Sequence, residues 1–85
     1  MIHLVIDCTD ADSATGDYTA YHKRTDAWAD YRETCIGLIA EVNDLDPESE
    51  EDEEELGNLF TEQAGDGHYE HGEGYIKFKP EVRIR

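Results

Sequence analysis

"TDAWADYRETCIGLIAEVN", residues 25–43, decides the fold class. Trp28, Tyr31, Cys35, Leu38, Ile39 and Val42 recur three or four positions apart, while Asp26, Asp30, Glu33 and Glu41 fall toward the other side. That spacing is the single apolar stripe of an amphipathic helix. Thr25 offers a side-chain oxygen as N-cap, and Asp26 beside it suits the positive helix end. Gly37, in mid-helix, costs about 1 kcal/mol relative to alanine; close packing of the helix on a strand is the expected reason for it.

On the N-terminal side, Ile2, Leu4, Ile6 and Cys8 alternate with His3, Val5 and Asp7, the period of a strand with one buried face. "TDADSATGD" (9–17) supplies a turn, and "DYTAYHK" (17–23) is expected to return as the second arm of a hairpin. On the C-terminal side, Asp46-Pro47 is a helix start with aspartate as cap and proline at the first helical position. Leu56, Leu59, Phe60 and Ala64 then dock the end of an acidic helical segment spanning 46–64. "GDGHYEHGEG" (65–74) has four glycines in ten positions and reads as a loop. In "YIKFKPEVRIR" (75–85), Ile76, Phe78, Val82 and Ile84 alternate with Lys77, Lys79, Arg83 and Arg85; Pro80 cannot donate to a ladder, which points to an edge strand or one broken in two. The expected domain, residues 1–85, is therefore α+β: a small antiparallel or mixed sheet in the order β-β-α-α-β, with two helices packed on one face.

A chain of 85 residues has room for one small core. Its net charge of −15 is unevenly placed: residues 41–73 hold fourteen acids and no lysine or arginine, whereas residues 74–85 hold four bases and one acid. Cys8 and Cys35 are too few and too far apart for a disulfide scaffold or a CxxC zinc site, and read as free thiols of a reducing cytoplasm. "MIHLVIDCTD" lacks a basic start and breaks at Asp7, so no signal peptide is expected. No apolar run approaches the ~20 residues of a membrane span.

Catalytic chemistry finds no support. There is no GxSxG and no phosphate-binding glycine loop, and neither cysteine has an adjacent histidine or base. No enzyme activity and no cofactor are expected. His68 and His71 in "HYEH", flanked by Asp66, Glu70 and Glu73, are the metal-ligand candidates, against which a glycine-rich loop holds ligand geometry poorly. Asp44 to Glu55 imitates a calcium loop in its acids, but Ser49 stands where the turn glycine belongs and Pro47 stiffens the start.

The stretch "DPESEEDEEELGN" (46–58) places seven carboxylates in the eight positions from Glu48 to Glu55. In a helix they would give one negative charge per ~1.7 Å of axis, the spacing of phosphates along duplex DNA. A solvated solubility segment is the plain alternative. Adaptation to high salt would spread acids over the whole surface, which the basic C-terminal strand contradicts.

In size, charge and layout the chain resembles the small acidic proteins with which phages block nucleic-acid-binding defence enzymes, the anti-CRISPR and anti-restriction DNA mimics. The resemblance implies that Glu48, Glu50, Glu51, Asp52, Glu53, Glu54 and Glu55 stand in for phosphates, with Glu41, Asp44, Asp46 and Glu62 extending the surface. It implies as partner a basic nucleic-acid-binding protein or ribonucleoprotein, with no direct contact to nucleic acid or membrane. It implies as setting the cytoplasm, that of a bacterial host if a phage encodes the chain. The alternatives are a metal- or calcium-binding or general interaction module, and a homodimer in which the basic strand meets the acidic helix of a second copy.

Overall fold

The computed structural model describes residues 2–8, 17–72 and 74–83. The elements are β1 (Ile2–Cys8), β2 (Asp17–Tyr21), α1 (Arg24–Asn43), α2 (Glu50–Ala64), β3 (His68–His71) and β4 (Gly74–Val82). All strand pairs are antiparallel, in the order β2-β1-β4-β3. The expected α+β architecture is present, with both helices on one face, and it carries one strand more than the sequence suggested.

That strand is β3. Residues 65–74 are not a loop: His68–His71 pairs with 74–77 of β4, and Tyr69 is buried opposite Ile76. The glycines serve its ends, since Gly67 (φ 95°) and Gly72 (φ 59°) take the left-handed backbone that a side chain disfavours. With β3 on its flank, β4 is interior rather than an edge or a broken strand. Pro80 is accommodated because β3 stops opposite Lys77, and because β1 and β4 shift register between Ile2 and Leu4. At that irregularity Glu81 adopts φ 58° and donates its N–H to Nδ1 of His3 at 3.1 Å. Ile84 and Arg85 lie outside the described residues, as do the turn residues 9–16 and Glu73.

Strand β1 is read correctly in period, and Ile6 is buried as expected, but the face that meets the helices is the other one. Register sets Val5 opposite Phe78, and both lie in the core with the helices. Ile2, Leu4, Ile6 and Cys8 therefore belong to the opposite face of the sheet. A central strand is apolar on both sides, so alternation alone does not say which side the helices cover.

Helix α1 buries Ala27, Tyr31, Cys35, Ile39 and Ala40; Trp28 and Leu38 are half-buried, and Val42 is exposed rather than part of the stripe. Trp28, Tyr31, Phe60 and Phe78 form a four-ring cluster with centroids 5.0–6.0 Å apart, edge-on or tilted. This cluster joins both helices to the sheet, in the arrangements that add to simple burial. Lys23 rather than Thr25 precedes the first helical residue, and no side chain caps it. Gly37 faces open space, with nothing within 4 Å of the position its Cβ would take, so close packing does not explain it.

Candidate protein-binding surface

The acidic segment begins with a turn, not with a helix. α1 ends at Asp44, whose N–H reaches the carbonyls of Ala40 and Glu41 and whose left-handed conformation (φ 55°) turns the Leu45 N–H onto the Ala40 carbonyl at 2.8 Å. Asp46-Pro47-Glu48-Ser49 then closes a turn through Ser49 N–H to the Asp46 carbonyl, 3.1 Å, with aspartate first and proline second. The Asp46 carboxylate accepts the Glu48 N–H at 2.9 Å. The helix expected from Asp46 thus starts at Glu50, with Ser49 at its N-cap and Glu50, Glu51, Asp52 and Glu53 in its first turn. Four carboxylates at the positive helix end are stabilised there by the aligned peptide dipoles, which offsets part of their mutual repulsion.

The carboxylates do not form one track. Leu56, Phe60 and Ala64 face the core; at ~100° per residue, Glu51, Glu55 and Glu62 lie on the side away from it, with Glu50 and Glu54 beside them. All five are exposed. Asp52 is half-buried and accepts the Asp46 N–H at 2.8 Å, so it ties the turn to the helix. Glu53 turns toward α1, where it shares a hollow with Arg32, Ile36, Pro47 and Leu56. Glu48 stands outside the helix, and Glu41 and Asp44 close the surface at the end of α1. None of the carboxylates from Glu48 to Glu55 pairs with a described lysine or arginine. The six consecutive helical acids from Glu50 to Glu55 follow the axis at one charge per ~1.5 Å.

Sequence reasoning missed a neighbour of this surface. Between α1 and the turn lies an open groove of about 610 Å³ lined by Ala29, Arg32, Glu33, Ile36, Pro47 and Glu48. Its lining joins apolar Ala29, Ile36 and Pro47 to the carboxylates of Glu33 and Glu48. Arg32 extends over the Phe60 ring, 5.7 Å from its centroid, so its stem covers core apolar surface. The available signal was Glu33 and Ile36 on the outer side of α1 facing a proline turn.

The strand β3 places His68 and His71 on opposite faces of the sheet. His68 stacks on Tyr75 at 5.7 Å and lies 3.7 Å from Glu70, while His71 neighbours Tyr69 at 6.1 Å. The two rings therefore do not converge on one ion. Among the described residues no three histidine, cysteine, aspartate or glutamate side chains are grouped to hold a metal, and six of the twelve calcium-loop positions are helical. No described helix is long and apolar enough to cross a membrane. No family model matches the chain, and neither a curated protein nor a solved structure matches it.

Proposed function

We propose that the chain is an inhibitory binding protein that imitates the charge of nucleic acid and occupies the basic groove of a nucleic-acid-binding defence enzyme, a CRISPR effector or a restriction system. The observation that carries this reading is the set of carboxylates on α2 that make no ion pair with a described lysine or arginine, held on a helix that Leu56, Phe60 and Ala64 fix to the core. A solubility tail needs no such support. The outward acids Glu50, Glu51, Glu54, Glu55 and Glu62 present the charge, and Glu41, Asp44, Asp46 and Glu48 widen it. The groove beside Arg32 and Pro47 gives a long basic side chain of the target apolar contact for its stem and Glu33 or Glu48 for its head. Repulsion stored in the free protein is released when lysines and arginines of the target approach. The work would be done in the cytoplasm, on a ribonucleoprotein or protein target, without catalysis or cofactor.

Competition tests the proposal. Nucleic acid bound first to the target should block the chain, and the chain bound first should block nucleic acid. Simultaneous binding without interference would refute occupation of the groove.

A further inference from the structure

Opposite His3 the ladder between β1 and β4 is interrupted. Ile2 faces Val82 and Leu4 faces Lys79, so His3 has two residues, Pro80 and Glu81, across from it. Pro80 has no N–H to give. The N–H of Glu81 is aimed at a side chain instead: it donates to Nδ1 of His3 at 3.1 Å, from a backbone at φ 58° that a residue with a side chain rarely adopts. A backbone N–H can only donate, so Nδ1 is the bare nitrogen of a neutral ring and the ring's own proton is on Nε2.

We propose that this contact is a pH-sensitive latch: neutral His3 holds the end of β4, from Glu81 on, against β1, and protonation of the ring releases it. Histidine is the side chain whose charge changes between about pH 5 and 8. An imidazolium carries N–H on both nitrogens, so protonation removes the acceptor and sets one N–H against another. Beyond the irregularity, Ile2 with Val82 is the one pairing of β1 and β4 among the described residues, and a left-handed residue keeps its conformation only where its surroundings hold it there. On the other side of the irregularity β4 pairs with β1 from Lys79 to Tyr75 and with β3 from Lys77 to Gly74, and Phe78 and Ile76 are in the core. The release therefore stops at Pro80. It frees exposed Arg83 and leaves α2 in place, whatever α2 binds.

By alternation His3 is on the helix side of the sheet with Val5. Its partner on β2 is Tyr21, whose hydroxyl donates to Asp30 of α1 at 2.7 Å. His22 and Lys23 follow Tyr21 and lead into α1, whose first turn holds Asp26 and Arg24, the latter 5.8 Å over the Phe78 ring. From β4 comes the carboxylate of Glu81 itself. None of the described carboxylates makes an ion pair with the His3 ring, so none of them holds the imidazolium where the neutral ring sits.

Residue-resolved NMR of the whole chain from about pH 8 to about pH 5 tests it. At the upper end the His3 ring should carry its proton on Nε2, and the Glu81 amide should be protected from hydrogen exchange. As the ring takes up its second proton, the protection factor of that amide should fall about tenfold or more. The amides of Val82 and Arg83 should shift with the same midpoint, and those of Ile76 and Phe78 should not. His3→Asn sets an oxygen that does not titrate near the place of Nδ1, and should keep the protection across the range. Glu81→Gln keeps the N–H without the carboxylate and should respond as the parent does. A proton on Nδ1 at neutral pH overturns the proposal, and so does a Glu81 amide that stays protected while the ring titrates. A response that survives in His3→Asn overturns it in favour of another titrating group, and one lost in Glu81→Gln overturns it in favour of the carboxylate. If His3→Asn does not fold, the tautomer and the shared midpoint in the parent chain decide.

Discussion

The hydroxyl of Tyr31 on α1 donates a 2.6 Å hydrogen bond to the carbonyl oxygen of Ala64, the last residue of α2, inside the core. One buried polar contact therefore fixes how far along α1 the acidic helix is held. Ala64 also accepts the Gly67 N–H at 3.1 Å, so removing the phenol does not leave its carbonyl bare. Tyr31→Phe should cost about 1 kcal/mol, seen as a melting temperature lower by roughly 4–8 °C for a domain of this size. A variant as stable as the parent would show that ring burial alone sets the helix position.

Cys35, one turn beyond Tyr31, is fully buried, and loss of hydration pushes its thiol up to about 11; burial likewise pushes the Tyr31 phenol upward. The fold holds the Cys35 proton that the unfolded chain releases near pH ~8.5. Its contribution is complete below that pH and is lost as pH rises from there toward 11, with a slope of at most ~1.4 kcal/mol per pH unit. Denaturant titrations should show stability falling above pH 9, and Cys35→Ala should flatten that fall. In the native protein a thiol reagent should label half-buried Cys8 and spare Cys35 until unfolding.

Gly37 and Gly57 sit within helices with nothing within 4 Å of an added Cβ. Gly37→Ala and Gly57→Ala should each stabilise the protein by up to about 1 kcal/mol. Gly67→Ala should do the reverse. Its φ of 95° turns the chain into β3, and its carbonyl accepts the Phe78 N–H at 2.8 Å. Equal midpoints in denaturant for all three variants would remove the distinction.

These positions also show what the sequence disclosed and what it hid. α1 was legible because twenty residues give several turns of one period. β3 was not, because four residues between glycines give no period to count, and the same glycines that build its turns look like loop. Asp46-Pro47 was a true signal attached to the wrong structure: aspartate then proline opens a turn as readily as a helix, and the backbone bond from Ser49 to Asp46 decides for the turn. At the candidate surface the charge was legible and its direction was not. Which acids point outward depends on where α2 begins and on which side Leu56 and Phe60 bury, and a shift of three residues in the start moves Glu48 out of the helix.

The acids therefore divide into two classes with opposite expected effects. Asp52 accepts the Asp46 N–H, so Asp52→Ala, which removes the acceptor, should lower stability by about 1 kcal/mol while changing target binding little. Glu51, Glu54 and Glu55 are exposed and make no ion pair with a described lysine or arginine. Their change to glutamine should leave the melting temperature within a few degrees, and their reversal to lysine should abolish inhibition by setting like charges against a basic groove. Binding of the parent chain to its target should also weaken steeply as salt rises. Retained inhibition in the triple lysine variant, with circular dichroism unchanged, would remove the outward face of α2 from the mechanism and leave the groove beside Arg32 and Pro47 as the contact to test next.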